Sequence, residues 1–372
     1  MSNRTVNHAH SHEHDHSHTP HDRGWRGRIA VMFRLGHSHN QSNLASDQAF
    51  LEDEEGIRTV WLALTALTVT SILQILIVLW SGSVALFADT VHNIGDGLNS
   101  IPLLIAFYLA RRAATRRYTY GFARAEDVAG IFIVLSIAFS AGLIFWESFQ
   151  KLFDPQPLTN LSWVAGAAVI GFLGNEAVAL LQIRVGRKIG SAALVADGLH
   201  ARTDGLTSLA VLLAVAGSWL GFPILDPIIG IVIGVVILFV TRDASITMWY
   251  RLMDAIDPEL LAKAESVVQK QVGVREMRRI RMRWTGHRLC TEVTVAVDPH
   301  LTTVQSHQIA EGLRHALFHE VPNLAEVVVH IEPWGEELAS LHQLTAHHEP
   351  VPQPVRSEAS LIGERIFYHG VQ

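Results

Sequence analysis

Ala88-Asp89-Thr90-Val91-His92-Asn93-Ile94-Gly95-Asp96-Gly97 and Ala196-Asp197-Gly198-Leu199-His200-Ala201-Arg202-Thr203-Asp204-Gly205 share the pattern A-D-x-x-H-x-x-x-D-G. Each copy interrupts an otherwise apolar stretch, Ser83–Ala110 for the first and Ile189–Leu220 for the second. Four further apolar runs accompany them. Thr59–Trp80 and Val128–Trp146 carry no charge, Leu158–Ile183 carries only Glu176, and Ile224–Thr241 opens on Asp226-Pro227. A hydrocarbon core of about 30 Å needs about 20 apolar residues as a helix, so six membrane spans are expected. The two copies lie three spans apart and therefore run in opposite directions. That arrangement marks inverted repeats, with a substrate site at their interface near the midplane.

The spacing dictates what the repeats present. Residues i and i+4 stand one above the other on a helix. His92 with Asp96, and His200 with Asp204, thus each offer an imidazole and a carboxylate on one face. Two such helices supply two nitrogens and two oxygens, a tetrahedral set suited to Zn²⁺. Copper sites favour thiolates or thioethers, and Mg²⁺ or Ca²⁺ favour oxygen alone. Asp89 and Asp197, three residues before the histidines, are placed to orient the imidazoles as hydrogen-bond acceptors. Charges at the bilayer centre cost about 2.5–3.5 kcal/mol each on the lenient insertion scale, so two matching copies argue for a metal site rather than helix packing. Asn99, Gln74, Asn175 and Glu176 have no repeat mate and read as structural polar residues.

The balance of the chain agrees. Of 372 residues, 49% are hydrophobic and 17% charged, with 21 histidines and one cysteine. Mean hydropathy is +0.24. Soluble domains average about 25% charged residues. A net charge of −6 excludes a general nucleic-acid binder. The lone Cys290 excludes a disulfide framework and a cysteine-rich metal site. Arginines cluster after spans 2, 4 and 6 (Arg111, Arg112, Arg116, Arg117 and Arg124; Arg184 and Arg187; Arg242 and Arg251), whereas the other linkers hold only Lys151. The positive-inside rule then puts both termini in the cytoplasm. No apolar h-region precedes span 1, so no cleavable signal peptide is expected.

Two polar pieces flank the spans. Residues 1–56 include His8, His10, His12, His14, His16, His18, His21, His37 and His39 and read as a disordered cytoplasmic tail able to chelate metal weakly. The six-helix transmembrane domain is expected over 57–250. Residues 251–335 read as an α+β domain of order αββαβ: helix over Pro258–Val272, strands over Met277–Arg283 and Thr291–Val297, helix over Thr303–Phe318, and strand over Val327–Ile331. Residues 336–372 read as a disordered tail.

These features resemble the cation diffusion facilitator family of zinc and related divalent-metal transporters, over roughly residues 57–335. The matching pieces are H-x-x-x-D in spans 2 and 5, Tyr120-Gly121-Phe122-Ala123-Arg124-Ala125-Glu126 entering span 3, Asp226-Pro227, and the αββαβ domain. The resemblance implies a homodimeric, proton-coupled exporter of divalent metal in a bacterial inner membrane, with a metallochaperone-like cytoplasmic domain. It assigns His92, Asp96, His200 and Asp204 to the transport site. Two histidines and two aspartates is the family pattern associated with Zn²⁺, with Co²⁺, Ni²⁺, Fe²⁺ and Cd²⁺ as alternative main cargoes. It also implies a charge pair between Arg124 and Asp254, at the start of span 3 and the end of span 6. Thr115–Phe122 lacks the ligands that some members carry in the span 2–3 linker, so no metal site is expected there. In the cytoplasmic domain His307, His330 and Glu332 remain as candidate ligands, whereas Arg275 and Val293 offer none. His315 and His319 read as solvated surface residues.

Two other function classes fit less well. An intramembrane metalloenzyme needs H-E-x-x-H or a similar helix, and none is present, so no enzyme is expected. A membrane-anchored metal sensor or store would need no ligands buried in its spans.

Overall fold

The computed structural model describes residues 44–81, 99–153, 160–222, 224–335 and 347–348. Asp89, His92, Asp96, the histidine tail and nearly all of 336–372 lie outside the described residues. Six helices among the described residues precede the C-terminal domain: α1 (Leu44–Ser81), α2 (Ser100–Ala110), α3 (Ala125–Phe153), α4 (Leu161–Ile189), α5 (Ala192–Trp219) and α6 (Leu225–Leu252). Helices α1, α3, α4 and α6 are long and apolar enough to cross a membrane. Helix α2 is a shorter apolar helix, and α5 carries the second motif copy.

Burial explains how a charged helix is accommodated. Helix α5 packs against α3, α4 and α6 and hides Asp197, His200 and Asp204. The outer helices turn Trp61, Ile72, Leu76, Phe132, Phe139, Leu173 and Phe239 outward, where hydrocarbon rather than water is the matching solvent. The seam between α4 and α5 is built of small residues, which let backbones approach. A Cβ on Gly198 would lie 2.9 Å from the Ile183 backbone nitrogen, and one on Gly186 would lie 2.9 Å from that of Val195. Gly190, at φ 74°, ends α4 in the left-handed conformation, and the Ser191 side chain caps α5 by accepting from the Leu194 amide at 3.0 Å.

Several helices outrun the apolar segments of the sequence. Helix α6 continues past Thr241 to Leu252. At the other end, the sequence reading leaves everything before residue 57 in a loose tail, but α1 already runs from Leu44. The reason is tertiary. Asp53 is 1% exposed and pairs with Arg288, and Glu55 pairs with Lys188 at 2.7 Å. Partners supplied by distant chain hold a polar turn in helix that has no apolar periodicity to announce it.

The C-terminal domain follows the expected order, with α7 (Pro258–Lys270), β1 (Glu276–Thr285), β2 (Arg288–Val297), α8 (Thr303–Glu320) and β3 (Leu324–Pro333). Strand β2 is central, antiparallel to β1 and parallel to β3. Its core gathers Ala264, Val268, Leu289, Val293, Val295, Leu313 and Leu317. Asp257 caps α7 ahead of Pro258, and Thr302 with Gln305 forms a capping box on α8. Each strand runs beyond the span that alternation marks, because ladder pairing carries β1 and β2 up to their two-residue turn, Gly286-His287.

Candidate metal transport site

Helix α5 brings His200 and Asp204 to one face, as their i, i+4 spacing requires, with His200 Nε2 4.0 Å from Asp204 Oδ2. Both are buried, at 2% and 7% exposure. Thr203 and Thr207 turn their hydroxyls back onto the His200 and Asp204 carbonyls at 2.7 and 2.8 Å, which keeps their own polar atoms satisfied inside the bundle. Arg202 points elsewhere and meets Glu176 of α4 through two hydrogen bonds, at 2.9 and 3.3 Å. That pairing neutralises two charges that would be costly alone at this depth. Glu176 is therefore an ion-pair partner of the motif helix.

Asp197 has partners other than the expected one. Its Oδ2 accepts from Ser100 Oγ at 2.7 Å and from Gln182 Nε2. The sequence reading aims this carboxylate at the His200 ring; in the structure it ties α2 and α4 to α5. Gln182 donates from α4, so the tie spans three helices.

Asn99, at the mouth of α2, is the residue that sequence reasoning undervalues. Its Nδ2 donates to Ser136 Oγ at 2.8 Å and stands 2.9 Å from His200 Nε2. Nε2 is one of the two imidazole atoms able to ligate a metal, and a carboxamide can present either a donor or an oxygen acceptor toward it. The signal available in the sequence is position: Asn99 comes three residues after Asp96, a spacing that shares a face in any helix.

Outside the bundle, Arg124 Nη2 and Asp254 Oδ1 are 2.6 Å apart, joining the start of α3 to the end of α6, and both side chains are partly exposed. The candidate cytoplasmic ligands are not gathered at one point among the described residues. His330 Nε2 lies 3.6 Å from Glu332 Oε1 on β3, but among the described residues no group of three or more His, Cys, Asp or Glu side chains converges on one metal position. His307 lies exposed on the first turns of α8, so it does not complete a three-ligand set with that pair. His315 and His319 are exposed, with ring centroids 4.4 Å apart. Burial pushes the Cys290 thiol above its ordinary value, which keeps it protonated and a poor ligand.

Sequence comparisons agree with this architecture. Residues 60–253 match the cation efflux transmembrane domain, and residues 256–334 match the cation efflux protein cytoplasmic domain. The probable cation efflux system protein Rv2025c of Mycobacterium tuberculosis is 48% identical over 313 residues, covering 84% of this chain and 94% of the relative. The cation-efflux pump FieF of Serratia proteamaculans is 30% identical, covering 74% of this chain and 93% of the relative. The magnetosome protein MamB of Paramagnetospirillum magneticum is 27% identical over 275 residues. With a membrane bundle and a C-terminal α+β domain matched in the order that both family models require, the chain belongs to the cation diffusion facilitator family of cation efflux transporters.

Proposed function

We propose that this transporter exports divalent metal, with Zn²⁺ as the main cargo, in exchange for protons, through a single site made by His92, Asp96, His200 and Asp204. The observation that carries the reading is the burial of His200 and Asp204 on one face of a helix whose Arg202 is already neutralised by Glu176 and whose Asp197 is held by Ser100 and Gln182. One imidazole nitrogen and one carboxylate oxygen on α5, doubled by the repeat copy, give the mixed nitrogen and oxygen set that Zn²⁺ takes in tetrahedral sites. Metal requires neutral imidazole and ionised carboxylate, so binding releases protons and proton uptake releases metal. An ordinary histidine titrates near 6.5, a value suited to that exchange. Asp89 supports His92 from its own helix. The protein acts as a homodimer in a bacterial inner membrane with both termini cytoplasmic, the orientation that the arginine distribution favours.

The deciding experiment is metal flux into sealed proteoliposomes, with Zn²⁺, Cd²⁺, Co²⁺, Ni²⁺, Fe²⁺ and Mn²⁺ compared under an imposed pH gradient. The expected result is Zn²⁺ movement that follows the proton gradient and vanishes in His200→Ala. Zinc flux indifferent to the gradient overturns the antiport reading, and normal flux in His200→Ala overturns the site.

A further inference from the structure

Hairpin turns ordinarily lie on the surface, because their backbone polar groups need water. The turn between β1 and β2 does the opposite. His287 at its tip is 0% exposed, and the turn sits among the membrane helices. Gly286, at φ 60°, is the residue that makes the approach possible: a Cβ there would lie 2.7 Å from both Ala123 O and Glu126 Oε2. The bundle provides acceptors for the turn in place of water. The Gly286 amide donates to Asp127 Oδ2 at 3.1 Å, and the His287 amide donates to Glu126 Oε2 at 3.2 Å. Arg251 of α6 donates to the Gly286 carbonyl at 3.0 Å and to the Gly190 carbonyl at 2.9 Å, with its guanidinium 4.1 Å from the Trp284 ring centroid.

The His287 ring faces a carboxylate from each nitrogen. Nδ1 is 2.7 Å from Glu126 Oε2, and Nε2 is 3.6 Å from Asp53 Oδ1. The Glu126 carboxylate accepts from Nδ1–H within hydrogen-bond range, whereas Asp53 stands beyond that range and favours the charged ring through its field alone. Arg288 Nη2 meets the other oxygen of Asp53 at 2.6 Å, and Phe107 of α2 closes the site with its ring centroid 6.0 Å from that of the histidine. Glu126 is in turn the acceptor for Ser191 Oγ, the cap of α5. One short chain of contacts thus runs from the C-terminal domain through α3 to the helix that bears His200 and Asp204.

We propose that His287 is a positioning residue for transport: its imidazolium, seated between Glu126 of α3 and Asp53 of α1, holds the C-terminal domain against the membrane bundle and thereby fixes the start of α5. The link to transport rests on His200 and Asp204 being metal ligands; the docking itself does not. Among the described residues, the charged groups acting on the ring are Asp53 from α1, Glu126 from α3 and Arg288 from β2, with Asp127 of α3 and Arg251 of α6 holding the Gly286 backbone beside it. Burial works against the charged ring, yet the Glu126 and Asp53 carboxylates outweigh it and raise His287 above its ordinary 6.5. Docking therefore takes up a proton. It is complete below the ordinary value and weakens as pH rises through the raised, docked value.

Hydrogen exchange of the Trp284–Arg288 stretch in the full-length, metal-free protein in lipid nanodiscs reads the docking directly, since the Gly286 and His287 amides are protected only when seated. After correction for intrinsic exchange, protection in the wild type should fall about tenfold or more between about pH 6 and about pH 9. The double variant Glu126→Gln/His287→Gln replaces the ion pair by a neutral amide pair of similar size and should give a flat profile. A residue that only fills space predicts the same profile for both proteins. A flat wild-type profile overturns the proposal by itself, whether or not the variant folds, and so does a variant that falls in parallel with the wild type. Maximal zinc flux at equal pH on both sides should lose its alkaline decline in the double variant with KM unchanged; a KM shift with the decline retained also counts against it. Zinc titration of His200→Ala, run beside these, tests the ligand assignment without touching the docking result.

Discussion

Two buried histidines in this molecule stand beside carboxylates, and their surroundings differ in kind. His200 lies 4.0 Å from Asp204, with the neutral carboxamide of Asn99 2.9 Å from its Nε2. His287 lies 2.7 Å from Glu126, with Asp53 beyond its other nitrogen and Arg288 closing the set. Among the described residues, the first imidazole has one carboxamide at hydrogen-bond distance and one carboxylate at the edge of ion-pair distance. The second is surrounded by groups that demand a charged one. Burial alone therefore does not mark a ligand: the partners decide whether a histidine is poised to exchange a metal or committed to an ion pair.

The largest test of this contrast is His200→Ala or Asp204→Ala, which should reduce vesicle zinc flux to background while the protein remains membrane-inserted and elutes like the wild type in size-exclusion chromatography. Next, His287→Ala should leave zinc stoichiometry intact but destabilise the fold by about 3–5 kcal/mol, because Glu126 is left buried without its charged partner; chemical unfolding of the full-length protein in detergent measures it. A loss under about 1 kcal/mol would mean the junction is wet and the pairing loose. A smaller effect separates the neutral neighbour from the ligands. Asn99→Ala removes a hydrogen bond worth about 0.5–1.5 kcal/mol to the metal-free site, so zinc affinity by isothermal titration should rise by up to about tenfold. A fall in affinity would show that Asn99 contributes an oxygen to the metal. The smallest effect belongs to Arg124 and Asp254, a half-exposed pair worth about 0–1 kcal/mol. Either reversal should modestly lower flux, and reversing both should restore it.

The same contrast explains what could be read from the sequence. The shared face of His200 and Asp204 is legible because i, i+4 spacing is a local property, and the apolar segments are legible because hydropathy is too. The αββαβ order followed from alternation between Met277 and Val297 and from helical spacing on either side. What escaped depends on partners far along the chain. Asn99 reads as a structural polar residue without a repeat mate, because the side chain it meets, His200, is 101 positions away. Asp53 looked like part of a loose tail because Arg288 is 235 positions away. His287 sits in a turn, where sequence logic expects solvent, and only its seat among the helices makes it a buried charge. His330 and Glu332 show the limit of a local reading: their adjacency on β3 is legible, but whether a third group joins them depends on distant chain, and none does among the described residues.

The small-residue seam between α4 and α5 has a mechanical consequence. Where Gly186 and Gly198 put backbone against neighbouring chain, no room remains for a larger side chain between the helices. Interiors at that density transmit displacement instead of absorbing it. Joined at Gly190–Ser191 and tied by Gln182 to Asp197 and by Glu176 to Arg202, the two helices are expected to move as one bar, so a tilt applied at that joint should carry to His200 and Asp204. Substituting Gly198 by alanine would wedge the bar open at Ile183 and slacken that transmission without altering a single ligand.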